Sequence, residues 1–198
     1  VEYIKAAYYY SNGLEDRARM IALFLAQKDL ADEKLGMKVV SLLIEMDEIV
    51  AAFQTLKKIN DPELEPYTFI AQYYHILGKD ASAIEFLQGA YHNEPEPSAE
   101  LILALASLYE MGGEYQNGID IVEKALPRFP NDPKILNWYG YILVTYTDRL
   151  QEAEDHLLRA LELSPESQYI QDSVAWLYFK LGDYEKAMRY LKIMIEVE

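Results

Sequence analysis

The feature that most constrains this chain is a recurrence of small, large and proline positions every 34 or 35 residues. Ala83, Gly118, Ala153 and Ala187 form one series, and Leu87, Val122, Leu157 and Leu191 form a second, four residues further on. Ala90, Ala125 and Ala160 form a third, and Pro95, Pro130 and Pro165 a fourth. Several series in phase at one period are the signature of a repeat array. Within the chain, apolar residues recur at helical spacing, as at Leu35, Val39, Leu42, Leu43 and Met46, and strand-like alternation is absent. Each copy therefore reads as helix, turn, helix. One such hairpin cannot bury its own apolar face, so neighbours must stack to complete the core.

The residue types suit these roles. Small side chains at Ala71, Ala83 and Ala90 let helix backbones approach, while Tyr74 and Leu87 fill the seams. Gly78, Gly113 and Gly182 suit the left-handed residue that reverses the chain after a helix. Proline after each second helix stops it before the next hairpin begins. Residues 66–97, 99–132, 134–166 and 168–198 are clear copies, the last cut off after Met194. In the copy 134–166 the first helix runs one residue out of phase with the second, which puts an extra residue in the turn around Thr147–Leu150. Residues 1–65 hold two degenerate hairpins, with helices expected at Glu2–Tyr10, Leu14–Lys28, Lys34–Met46 and Ile49–Ile59. Asp47 is expected to cap the last of these, and the Tyr8–Tyr10 cluster to pack on the next hairpin. The whole chain, 1–198, is expected to form a single array.

The chain resembles the tetratricopeptide repeat (TPR) family. One copy carries Tyr67, Ile70-Ala71, Tyr74, Gly78, Ala83, Leu87, Ala90 and Pro95. The next carries Ile102, Leu105-Ala106, Tyr109, Gly113, Gly118, Val122, Ala125 and Pro130, and the third Leu136, Tyr139-Gly140, Leu143, Ala153, Leu157, Ala160 and Pro165. The resemblance implies an all-α fold, a right-handed superhelical α-solenoid of antiparallel helix hairpins with about six repeats. It also implies a concave face lined by the first helix of each hairpin. Carried over by position, that face holds Gln72 and His75, then Leu103, Ser107 and Glu110, then Lys134, Asn137 and Tyr141. In the last copy it holds Tyr169, Asp172, Trp176, Phe179 and Lys180. The aromatic residues suit capture of a peptide or helix, and Asn137 and Lys134 suit a backbone or carboxylate. The alternative is that Trp176 and Phe179 pack against a further C-terminal helix. Thr68, Gln72, Leu103 and Ser107 depart from the lysine–asparagine clamp with which some TPR proteins hold a terminal carboxylate.

Composition narrows the partners. A formal charge of -15 argues against nucleic acid and against unaided docking on anionic lipid. No window approaches the roughly 20 apolar residues that membrane insertion needs. The absence of cysteine removes disulfides, thiolate catalysis and cysteine–metal sites. No catalytic or nucleotide-binding motif is present. His75, His92 and His156 fall in different phases, which disfavours a shared metal site, and Pro62 and Pro66 spoil a calcium loop around Asp61, Glu63 and Glu65. The expected function is a noncatalytic scaffold or adaptor, without cofactor, that binds a protein or peptide. One alternative is a homo-oligomer assembled through the array end at Leu191, Met194 and Ile195; another is the repeat portion of a larger enzyme or regulator. The wording of the last two copies resembles bacterial TPR proteins, including envelope lipoproteins. Since the sequence starts at Val1 and stops within a repeat, a longer protein with an upstream signal or lipid anchor is expected. That protein would lie in the bacterial cytoplasm or on the periplasmic side of the envelope.

Overall fold

The computed structural model describes residues 1–28, 32–61 and 63–195, the last four of them through the backbone. The described residues form twelve α-helices and no strand. They fall into two compact units, Val1–Glu96 and Pro97–Glu198. The N-terminal unit holds α1 (Glu2–Ser11), α2 (Glu15–Ala26), α3 (Glu33–Glu45), α4 (Ile49–Leu56), α5 (Pro66–Ile76) and α6 (Asp80–Asn93). The C-terminal unit holds α7 (Ala99–Met111), α8 (Tyr115–Ala125), α9 (Pro133–Tyr146), α10 (Leu150–Leu163), α11 (Gln168–Lys180) and α12 (Tyr184–Ile195). In both units consecutive helices pair as hairpins and each hairpin packs on the next, and in the C-terminal unit α9 also touches α7 and α11. None of the described helices is long and apolar enough to cross a membrane.

The first helices share one buried stripe. Leu101, Leu105, Leu108 and Tyr109 of α7 and Ile170, Val174, Leu177 and Tyr178 of α11 are all buried, at i, i+4, i+7 and i+8. That spacing keeps four large side chains on one helical face. The seams behind them are tight. A Cβ at Gly140 would lie 2.5 Å from Cγ of Leu157 and 3.1 Å from the Ala153 carbonyl oxygen. Helices α9 and α10 therefore meet almost backbone to backbone at this point. Ser98 and Asp132 start α7 and α9 by accepting bonds from backbone N–H groups of the first turn, and Pro66 and Pro133 occupy the opening of α5 and α9.

The turn between α3 and α4 corrects one expectation. Asp47 is not the cap of α4, whose N-cap is Glu48. Asp47 instead takes a left-handed conformation, φ 63°, matching Gly78 at φ 67° in the next hairpin. The hydrogen bonds correspond as well. Asp47 N–H bonds the Ile44 carbonyl and Glu48 N–H the Leu43 carbonyl, as Gly78 bonds His75 and Lys79 bonds Tyr74. Aspartate tolerates this backbone better than most residues with a Cβ, so the hairpin keeps its reversal without glycine. Helix α4 ends at Leu56, short of the expected Ile59.

The junction after α9 absorbs the extra residue differently. Helix α9 has 14 residues against 13 in α7 and α11. Thr147 is then extended at φ -137°, and its hydroxyl bonds the Leu143 carbonyl at 2.7 Å. Arg149, the last residue of the turn, reaches Glu152 at 2.8 Å and Glu123 at 2.7 Å. The buried Tyr139 hydroxyl lies 2.7 Å from Glu123 and 2.9 Å from Glu152, and accepts from Arg149 at 2.8 Å. This network ties α8, α9 and α10 together. In the tyrosine cluster of α1, Tyr10 donates to the Glu45 carbonyl of α3, whereas Tyr8 is exposed.

Three stability outcomes follow. Asp47→Gly should change unfolding free energy by less than about 1 kcal/mol, because relief of backbone strain opposes added freedom in the unfolded chain. Asp47→Val should lose about 1–2 kcal/mol, since a β-branched residue disfavours this backbone. Gly140→Val should lose about 1–3 kcal/mol by overpacking the α9–α10 contact. Urea unfolding followed by circular dichroism measures all three.

Candidate interaction cleft

Helices α11 and α12 each present one face of side chains spaced i, i+3, i+4 and i+7. On α11 these are Asp172, Ala175, Trp176 and Phe179; on α12 they are Tyr184, Ala187, Met188 and Leu191. The two faces, with Tyr141 of α9, line an open cleft of about 570 Å³. Its wall is built from rings. Trp176 and Phe179 stack with centroids 5.5 Å apart and planes 12° apart, and Phe179 meets Tyr184 at 5.7 Å. The indole N–H of Trp176 bonds the Thr145 hydroxyl at 3.2 Å, which fixes the ring against α9. Phe179 and Met188 are each 51% exposed, so large apolar surface faces solvent here. Among the described residues Asp172 is the single charged residue of the lining.

Four of the residues expected from the repeat positions thus meet: Tyr141, Asp172, Trp176 and Phe179. Lys180 lies over the Trp176 ring at 4.9 Å, outside the lining. Tyr169 is exposed one turn before Asp172. Lys134 is exposed at the start of α9, and Leu103 and Ser107 are half-buried on α7. Asn137 is 8% exposed, and its carboxamide oxygen has no hydrogen-bond partner. Gln72 and His75 belong to the N-terminal unit, where His75 Nδ1 lies 3.0 Å from the Asp80 carboxylate. Tyr184, Ala187 and Met188 were missed because they lie on a second helix. The signal for them is the 34-residue register, which sets Ala187 and Leu191 opposite Ala153 and Leu157. The side chains of Met194 and Ile195, expected at the array end, lie outside the described residues.

Two further features stand apart from this cleft. A hollow of about 560 Å³ in the N-terminal unit runs along Val50 and Phe53 of α4, Tyr67 of α5 and Phe86 of α6. Its rings are in contact, Phe53 with Tyr67 at 4.5 Å and with Phe86 at 5.3 Å. In the C-terminal unit, Tyr115 and Tyr146 stack 3.7 Å apart. Burial pushes the nearby Glu110 carboxyl above its ordinary value, against the opposing pull of the Tyr146 hydroxyl and Trp138 indole. Among the described residues no group of three or more metal-ligating side chains could hold an ion.

Comparison with known proteins bears on these helices directly. A tetratricopeptide repeat model matches residues 172–192, the segment that supplies most of the cleft. The TPR repeat-containing protein PA4667 of Pseudomonas aeruginosa is 28% identical over 159 residues, 76% of this chain and 26% of its own. The chain thus spans about a quarter of that relative's length. A solved TPR protein of Thermus thermophilus aligns with a TM-score of 0.60 at 17% identity, over 83% of this chain and 90% of the other. MamA from Desulfovibrio magneticus RS-1, solved from residue 41 onward, aligns at 0.57 and 16% identity, over 84% and 96% of the two chains. Residues 172–192 are similar to a tetratricopeptide repeat, and the all-helical fold of paired hairpins is that of solved tetratricopeptide-repeat proteins. That class supports a protein-interaction scaffold in general terms.

The Glu110 environment gives a pH test. A carboxyl whose folded value is raised contributes stability below its unfolded value, near 4.5, and loses it as pH rises through the folded value. Glu110→Gln keeps an acceptor for Tyr146 without the charge. Its unfolding free energy relative to wild type should rise between pH 4.5 and neutrality and level off below pH 4.5. Urea unfolding of both proteins across that range measures the difference.

Proposed function

We propose that this chain is a noncatalytic scaffold that holds a peptide or helical segment of a partner protein in the cleft of α9, α11 and α12. The observation that carries this reading is the pair of facing apolar stripes on α11 and α12, with exposed aromatic rings at their mouth. A concave, largely apolar site with few polar groups is the usual form of a binding site. Partner segments are commonly held through anchors spaced i, i+3, i+4 and i+7. Within the C-terminal unit, Leu103, Ser107, Lys134, Asn137, Tyr169 and Lys180 belong to the proposed face as flanking positions rather than anchors, and Gln72 and His75 are proposed contact positions of the N-terminal unit taken by itself.

The activity of the full protein extends this proposal, because the chain matches a quarter of its longer relative. A repeat portion that delivers a partner to another domain fits the same cleft. Self-assembly is the second reading, favoured by exposed Tyr184 and Met188 on α12. A mass that increases with concentration in sedimentation, and that Met188→Asp abolishes, supports this second reading.

The scaffold reading has a direct test. Partner proteins are captured from the native lysate with wild type and with Tyr141→Ala, Trp176→Ala and Phe179→Ala, and the recovered partner is titrated calorimetrically. Each truncation should cost about 2 kcal/mol of binding if the ring is an anchor. Thermal unfolding must accompany the titration, because loss of Trp176 from its seam could cost roughly 3–5 kcal/mol of stability. Unchanged affinity in folded variants rules out the cleft.

A further inference from the structure

The cleft has a counterpart within the same chain. In α10, Ala153 and Leu157 hold the positions that Ala187 and Leu191 hold in α12, 34 residues later. They are wholly buried, and α11 packs across the hairpin of α9 and α10. The helix that lies there presents Ile170, Val174, Leu177 and Tyr178, all buried. One hairpin earlier, α9 lies against α8 and presents Ile135, Tyr139, Ile142 and Leu143 at the same spacing, again all buried. This face of a hairpin in this chain is thus one that accepts a helix with large residues at i, i+4, i+7 and i+8.

The charge of the cleft narrows that helix further. Among the described residues Asp172 is the one carboxylate in a lining otherwise made of rings and alkyl chains, and it makes no ion pair with them. A wholly apolar occupant would bury this carboxylate uncompensated, and an acidic one would be repelled. A lysine or arginine would pair with it. The neighbouring cation, Lys180, is held over the Trp176 ring at 4.9 Å and does not enter the lining. The overall charge of -15 adds long-range attraction for a basic segment.

We infer that the occupant of this cleft is a basic amphipathic helix of a partner protein, with large apolar residues at i, i+4, i+7 and i+8 and a lysine or arginine set against Asp172. This inference rests on the reading of the cleft as an interaction site and adds the chemistry of the partner. The test is selection of a displayed library of helix-constrained 14-residue peptides, randomised without charge bias, on the 198-residue chain. Selected peptides are then titrated against wild type, Asp172→Asn, Trp176→Ala and Met188→Asp, with circular dichroism as the check on folding.

The expected result is binders that need Trp176 or Met188 and that share a basic residue at one register position. Replacing that residue by glutamine should weaken binding to wild type about tenfold and leave binding to Asp172→Asn nearly unchanged. Binders that need Trp176 or Met188 but carry no shared basic residue, and bind Asp172→Asn as well as wild type, overturn the inference and leave the interaction cleft standing. No binder sensitive to either residue in folded variants overturns both readings, as expected if another segment of the protein or a second copy covers the cleft. Using both Trp176→Ala and Met188→Asp keeps the test decisive if one of them fails to fold.

Discussion

Everything in this molecule depends on hairpins stacking at very short range. A two-helix unit of this size has too little apolar surface to stand alone, so its stability comes from the interface with its neighbour. That interface requires alternation of small and large residues. The same alternation acts inside a hairpin, where Gly140 lets α9 approach its partner α10 until the Leu157 side chain fills the space a Cβ would need. Gly118 does the same beside Trp138 and the Ala106 carbonyl. The large residues that occupy the resulting seams, such as Tyr74, Tyr139 and Leu87, are fully enclosed. Close contacts thus lie both within a hairpin and between neighbouring copies, and local backbone geometry decides whether each copy arrives in register.

The turns supply that register in more than one way. Gly78 and Asp47 reach the same left-handed backbone from different chemistry, and both make the same pair of backbone hydrogen bonds. After α9 the left-handed residue is absent. An extended Thr147 and the bonds from Arg149 to Glu123 and Glu152 take its place. Arg149 is partly exposed, so solvent weakens these ion pairs. Their geometry nevertheless positions the buried Tyr139 hydroxyl between two carboxylates and joins three helices. An irregular copy is therefore compatible with regular stacking, because the chain corrects its phase within the turn.

The architecture was legible because it is written in residue type at fixed intervals. Helix spacing, turn glycines and the proline stops each follow from local sterics, so they read correctly without neighbours. The exceptions are informative. Asp47 suits a helix cap by residue type, because aspartate commonly serves as one, yet its actual role is set by the path the chain must take between α3 and α4. The lining of the cleft was legible in part. Tyr141, Asp172, Trp176 and Phe179 were found from their phase in the first helices, and they meet in one cleft. Tyr184 and Met188 were not, since they lie on a second helix, outside the first-helix phase from which the face was placed. Asn137 shares the first-helix phase but is enclosed, because burial at a given phase depends on what the adjoining helices bring.

The sequence by itself determined that this protein is a set of stacked helical hairpins, because period, helix spacing and turn chemistry are properties of short stretches of chain. Only the tertiary structure decided which apolar residues became core and which became surface. Leu157 in α10 and Leu191 in α12 hold the same repeat position, yet Leu157 is wholly buried while Leu191 is half-buried and lines an open cleft. The difference is the helix that packs across the first hairpin. Burial belongs to a pair of surfaces, so one surface read alone cannot fix it.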